Sequence, residues 1–180
     1  MMQAIERVLI SEEDLQKKVQ ELADCISQQY EGKDPLLITV LKGGFVFAAD
    51  LFRRITIPAS VDFMAVSSYG ASSKSSGVVK IIKDLDHPVE GRDVIIIEDI
   101  LDSGMTLSYL RDMLLQRGVK SLKICTILNK PDRRKADINA DYVGFDIPDE
   151  FVVGYGLDYA EKYRNLPFVG ILKREIYENE

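Results

Sequence analysis

At 180 residues the chain has the length of one domain, long enough to bury a core without disulfide or metal staples. Hydrophobic residues make up 46% and charged residues 29%, the balance of a soluble globular protein rather than a disordered or fibrous one. A net charge of −6 argues against a general nucleic-acid surface, yet leaves room for a local nest of amides and a few cations around an anionic ligand.

No apolar run is long enough to span a bilayer, and no signal-peptide pattern opens the chain, so a cytoplasmic protein without a membrane partner is expected. The two cysteines, Cys25 and Cys125, are not spaced as a ligand pair and read as buried free thiols of a reducing compartment. His87, beside Pro88, reads as a surface turn residue.

In chain order, Ser11-Glu12-Glu13-Asp14 is a capping-box pattern with acids in the first turn, and Leu15, Val19, Leu22, Ala23 and Ile26 give the helix after it one apolar face. Asp34-Pro35 ends that region. Leu36 to Leu41 reads as a buried strand, followed directly by Lys42-Gly43-Gly44 and by Phe45, Ala48, Ala49 and Phe52 at helical spacing. Strand, glycine turn and helix in that order let backbone approach a phosphate closely, although a tight turn alone explains the glycines equally well. Val61, Phe63 and Ala65, alternating with Asp62 and Met64, suggest another strand. The small polar segment 67–77 reads either as a hairpin tip or as a lid, and the aromatic Tyr69 favours the lid. Val78 to Ile82 returns as a strand, and Glu90-Gly91-Arg92-Asp93 turns the chain into its most informative stretch.

That stretch is VIIIEDILDSGMTLSYL, residues 94–110. Val94 to Ile97 reads as a strand buried on both faces, as in a parallel sheet covered by helices. Glu98 and Asp99 follow where the strand should emerge, then Asp102-Ser103-Gly104 turns into a helix opened by Thr106 with Leu107, Leu110 and Leu114 on one face. Turn amides, a helix N-terminus and the hydroxyls of Ser103 and Thr106 suit a phosphate. The carboxylates repel a phosphate but suit sugar hydroxyls or a metal ion beside it. Three acids around a buried strand end are costly unless something cationic or hydroxyl-rich binds there.

Gly118 is placed as the helix stop, Leu122 to Leu128 is a strand ending at Asn129-Lys130-Pro131, and the charged run Asp132 to Lys135 reads as a solvated connection. Tyr142 to Phe145 is a short strand and Ile147-Pro148-Asp149 a turn. Phe151 to Asp158 carries too many glycines for a central strand and reads as apolar backbone bent around something. Val169 to Leu172 is a last strand. Helices alternating with buried strands define an α/β fold with a mostly parallel sheet, whose ligands sit at the carboxyl ends of the strands.

The 94–110 stretch resembles the phosphoribosyl diphosphate (PRPP) motif of the type I phosphoribosyltransferases. Leu41-Lys42-Gly43-Gly44, Ser67-Ser68-Tyr69-Gly70, Lys130-Pro131 and Phe151 through Asp158 to Arg164 narrow the likeness to the bacterial hypoxanthine-guanine phosphoribosyltransferases, over nearly the whole chain. The resemblance implies one domain, 1–180, with a flexible loop at about 67–77 and a purine-binding hood largely within 130–180. It implies a purine-salvage transferase that takes PRPP and a 6-oxopurine, hypoxanthine or guanine, and gives IMP or GMP and pyrophosphate with Mg²⁺. In this likeness Asp102, Ser103, Gly104, Met105 and Thr106 hold the 5′-phosphate, and Glu98 and Asp99 face the ribose hydroxyls. Asp102 also stands near purine N7 as the proton acceptor. Lys42, Gly43, Gly44 and Arg164 receive pyrophosphate, and the peptide before that lysine can be cis in the family. Lys130 donates to the purine 6-oxo group, Phe151 stacks on the base, and Val152 meets its edge. Asp158 sits with the base and, with Glu98 and Asp99, near Mg²⁺; Ser68 and Tyr69 form the lid. A homodimer or homotetramer is implied. Met105 departs from members that carry a lysine there.

Taken singly, Phe151 reads as core, Asp158 as a turn cap, and Lys130 and Arg164 as surface charges; they gain weight only as one set. Two alternatives stay in view. A regulatory protein of the same fold that binds nucleic acid would need a basic face, which this acidic chain lacks outside Lys130 to Lys135. An enzyme of the same fold acting on xanthine or a pyrimidine is disfavoured by the Lys130 and Phe151 pair.

Overall fold

The computed structural model describes residues 1–68 and 79–178. Its main sheet has six strands in the order β4-β3-β2-β5-β6-β7. They are β2 (Leu36–Leu41), β3 (Ser60–Ser68), β4 (Val79–Lys83), β5 (Asp93–Leu101), β6 (Ser121–Asn129) and β7 (Tyr142–Asp146). Every pairing is parallel except that of β3 with β4. Three helices cover it: α1 (Glu12–Gln29), α2 (Phe45–Phe52) and α3 (Met105–Gln116).

The run Val94 to Ile97 is buried on both faces, as expected of a central parallel strand. Ile95 and Ile97 pack into the core shared with Leu15, Val19 and Ile26 of α1 and Phe47 and Leu51 of α2. Val94 and Ile96 pack on the opposite side with Leu107, Leu110 and Leu114 of α3. Ser11 caps α1, accepting from the Asp14 amide at 3.1 Å, and Gly118 follows α3 at φ +76.

A second sheet joins β1 (Ile5–Ile10), β9 (Val169–Leu172) and β8 (Val152–Val153), all antiparallel, with the short α4 (Arg174–Tyr177) after it. It draws β8 and β9 from the 130–180 region but adds β1 from the other end of the chain. β7, also within 130–180, belongs to the main sheet.

Several expectations need correction. The buried face of α2 is Phe47, Ala48 and Leu51, while Phe45 is exposed, because a helix of sequence FVFAADLF is apolar except at Asp50 and fits more than one buried stripe. In β3 the inward residues are Asp62 and Met64, and Val61 and Phe63 face out. Asp62 tolerates burial because its carboxylate accepts from the amides of Phe63 at 2.7 Å and Asp86 at 2.9 Å. β5 runs on to Leu101, so Glu98 and Asp99 lie within the strand and not beyond it. The strand placed at 78–82 begins, among the described residues, at Val79.

Candidate active site

The carboxyl ends of β2, β5 and β6 converge with the turn that follows β8. Glu98 and Asp99 are 9% and 8% exposed, and among the described residues neither forms an ion pair. Burial, and then the charge of Asp99, pushes the Glu98 carboxyl well above its ordinary range. Burial raises Asp99 as well, against the opposing pull of its hydrogen bonds and of Arg164. Asp99 Oδ1 accepts from the Ile100 amide at 2.8 Å.

The glycine turn after β2 closes over this pair. A Cβ on Gly43 would stand 1.8 Å from Asp99 Oδ2, so only a glycine lets backbone lie against that carboxylate. From the far side Gly156, at φ +102, approaches so closely that its own Cβ would stand 2.1 Å from the Gly43 carbonyl oxygen. The peptide Leu41–Lys42 is cis. Gly44 precedes α2 directly, and Lys42 reaches across the site to Glu161, Nζ to Oε2 2.9 Å.

Beyond β5, Glu98, Asp99 and the 101–107 loop line a cavity of about 220 Å³. Gly104, at φ +80, turns the chain into α3, and as a glycine it supplies no side chain to cap that N-terminus. Ser103 Oγ accepts from the Met105 amide at 3.4 Å, and the Met105 side chain is exposed. Asp102 Oδ1 lies 2.9 Å from Arg133 Nε without the alignment of a hydrogen bond, and it is buried without a hydrogen-bond partner.

Lys130, at the end of β6, is only 7% exposed. Its amide donates to the Leu101 carbonyl at 3.0 Å and its Nζ to the Glu150 carbonyl at 2.6 Å, with Asp149 at 3.9 Å. Burial lowers its pKa against the pull of Asp102 and Asp149. An ammonium has three protons, so donors remain beyond the one given to Glu150. Val152 is buried in β8, and Phe151 stays 37% exposed. The Phe151 ring stacks on Tyr177 (4.8 Å, 22°) and meets Tyr159 edge-on (5.7 Å, 87°).

Asp158 accepts from the Glu161 amide at 2.8 Å and pairs with Arg164 Nη2 at 2.9 Å. Arg164 Nη1 donates to the Gly156 carbonyl at 2.8 Å, while its Nε is buried without a partner. Among the described residues no three His, Cys, Asp or Glu side chains form a metal-holding group. Carboxylates, the groups that Glu98, Asp99 and Asp158 carry, are the type of donor a hard ion takes when it shares one or two of them with substrate oxygens.

The fold thus brings together loop 42–44, the Glu98 to Thr106 stretch, Lys130, and the 151–164 segment. Tyr69 and most of the lid segment lie outside the described residues, as does the Ser68 side chain. The charged run 132–135 is no mere solvated connection: Arg133 bridges Asp102 and Asp149, and Arg134 reaches into the loop after β5. Their proximity to Lys130-Pro131 was the available signal. Glu161, the partner of Lys42 and of Arg164, gave none.

The chain matches the family described as the phosphoribosyl transferase domain over residues 11–160. It is 61% identical over 175 residues to a hypoxanthine-guanine phosphoribosyltransferase of Bacillus subtilis (strain 168), covering 97% of each chain. A relative of that name from Streptococcus thermophilus (strain CNRZ 1066) is 56% identical, with 96% of each chain covered. Among solved structures, a hypoxanthine phosphoribosyltransferase from Staphylococcus aureus superposes with a TM-score of 0.96 at 52% identity, covering 99% of this chain and 97% of that one. With the match over residues 11–160, the mostly parallel sheet and the convergence of loops at its carboxyl edge, the chain belongs to the phosphoribosyl transferase domain family and has the type I fold.

Proposed function

We propose that the chain transfers the 5-phosphoribosyl group of PRPP to hypoxanthine or guanine, releasing pyrophosphate and giving IMP or GMP. The observation that carries this reading is the buried, unpaired Glu98–Asp99 pair beside a loop of open amides, with Gly43 laid against Asp99. Ribose hydroxyls and a developing ribosyl cation are what such a pair favours, and a phosphate is what the loop favours.

In this mechanism the purine N9 forms a bond to the ribose C1′ as the bond from C1′ to pyrophosphate breaks. The 101–106 loop holds the 5′-phosphate through its amides and through Ser103 and Thr106. Glu98 and Asp99 orient the ribose and stabilise positive charge on its ring. Asp102, whose Oδ1 has no hydrogen-bond donor, accepts the proton from purine N7, a role worth about 10²–10⁴ in rate. Lys42, Gly43, Gly44 and Arg164 receive the departing pyrophosphate, and the unpartnered Arg164 Nε supports that assignment. Lys130 donates to the 6-oxo group and so disfavours adenine, whose 6-amino group is itself a donor. Phe151 offers its ring to the base and Val152 its backbone.

Glu98, Asp99 and Asp158 are the residues that would hold Mg²⁺. When bound, it neutralises charge on the pyrophosphoryl oxygens. The chain acts as one domain, with residues 130–180 and β1 forming the base-binding side, in a cytoplasmic homodimer or homotetramer without nucleic-acid or membrane partners. Among the described residues no helix is long and apolar enough to cross a membrane.

A spectrophotometric assay with PRPP and Mg²⁺ against hypoxanthine, guanine, xanthine and adenine tests the reading. Turnover of hypoxanthine or guanine with adenine silent is expected, slowed about 10²-fold or more in Asp102→Asn. No turnover of any purine despite PRPP binding would move the assignment to a pyrimidine enzyme or a regulatory protein.

A further inference from the structure

Arg134, four residues after Lys130, binds the end of β5 and the loop that follows it through main-chain carbonyls. Its Nε donates to the Asp102 carbonyl at 3.1 Å and its Nη2 to the Leu101 carbonyl at 3.5 Å. The same guanidinium donates to the Asn129 side chain through Nη2 and to the Ile138 carbonyl through Nη1. The main chain continues the pattern, with the amides of Lys135 and Ala136 donating to the Ser103 carbonyl at 2.9 and 3.1 Å. Three successive carbonyls, those of Leu101, Asp102 and Ser103, are therefore held to one side by the 134–136 segment.

A planar trans peptide points its N–H opposite to its C=O. The N–H groups sharing those three planes belong to Asp102, Ser103 and Gly104, and they point away from Arg134. Among the described residues none of the three donates to a protein acceptor. Asn129 immediately precedes Lys130, whose amide also donates to the Leu101 carbonyl. One guanidinium thus ties the phosphate loop to the strand end that carries Lys130.

We propose that Arg134 is a positioning residue that holds the Leu101 and Asp102 carbonyls backward and thereby aims the Asp102 and Ser103 amides at a phosphate, while the Lys135 and Ala136 amides hold the next carbonyl, that of Ser103. The proposal rests on the phosphate-binding reading of this loop. A planar fork with five donors meets four acceptors at once, which a lysine ammonium with three donors cannot reproduce. The role is therefore one of shape, distinct from supplying positive charge.

Calorimetric binding of inosine 5′-monophosphate and of inosine, to the wild type and to Arg134→Met and Arg134→Lys, separates the possibilities. Both variants should bind the monophosphate about tenfold more weakly or worse, with inosine changed less than about twofold. Equal weakening of both ligands, an unchanged ratio in a folded variant, or full rescue by lysine overturns the proposal. If the wild type itself does not prefer the monophosphate, the phosphate-binding reading fails instead. Asn129→Ala, which removes one partner and leaves the arginine, covers the case in which both Arg134 variants misfold. It should lower the same ratio about threefold, and no change there would overturn the proposal too.

Discussion

Replacing Gly43 with alanine asks whether the turn after β2 is shaped around the Asp99 carboxylate. The added Cβ would stand 1.8 Å from Asp99 Oδ2, 2.7 Å from Cγ and 3.2 Å from Oδ1. All three are inside ordinary contact, so the carboxylate has to leave its place. Turning it away breaks the bond that Oδ1 accepts from the Ile100 amide at 2.8 Å. That loss costs about 1 kcal/mol, and forcing an atom into a packed region about 1–3 more, for a destabilisation of about 2–4 kcal/mol. Kinetically the effect is of similar size, since moving a group of the site by about 1 Å costs about 10²-fold in kcat/KM, or about 2.7 kcal/mol. Steady-state kinetics with PRPP and hypoxanthine, beside thermal unfolding, measures both. The decisive comparison is made in an Asp99→Ala background, where the clash is gone and Gly43→Ala should cost about 0.5 kcal/mol or less. Equal costs in the two backgrounds would refute the reasoning, as would a single variant within about twofold of wild-type kcat/KM.

Two further outcomes follow from burial. A raised carboxyl pKa means that the folded state holds its proton more tightly than the unfolded chain does. The Glu98 contribution is thus fully present below its unfolded value near 4.5 and is lost as pH climbs through the raised one. Glu98→Gln should therefore lose activity yet melt higher than the parent at about pH 8, with the gap closing toward about pH 4; parallel melting curves would contradict this. Lys130→Gln puts an acceptor where only a donor stood, so the preference for guanine over adenine, as a ratio of kcat/KM values, should fall about tenfold or more. An unchanged ratio would remove Lys130 from base recognition.

The strand–turn–helix unit around residues 94–110 was legible because it is local. The apolar run, the two acids and the Asp-Ser-Gly turn lie within one strand–turn–helix unit, and the structure keeps them in that order. The α2 face was not legible, since a nearly all-apolar octapeptide fits more than one helical stripe. β3 offered apolar residues on both alternations, and the buried partner of Asp62, the Asp86 amide, lies beyond the intervening hairpin. β1 escaped notice because IERVLI has no alternation and pairs with β9, at the far end of the chain. Lys42–Glu161 and Arg134 with the loop carbonyls are likewise long-range matches that no local pattern announces.

The β1–β9 pairing also links the two ends of the chain. β2, β5, α3 and β6, which carry the acids, the 101–106 loop and Lys130, all precede β8 and β9 in the sequence. The wall bearing Phe151 and Val152 joins β1 only through β9, more than 150 positions further along the sequence. Pairing over so long a separation carries a larger loop-closure cost than the local strand–helix contacts of the main sheet. A chain cut after β7 would keep the Glu98 to Thr106 stretch and Lys130 but lack Phe151 and Val152, together with β9, the strand that joins their wall to β1.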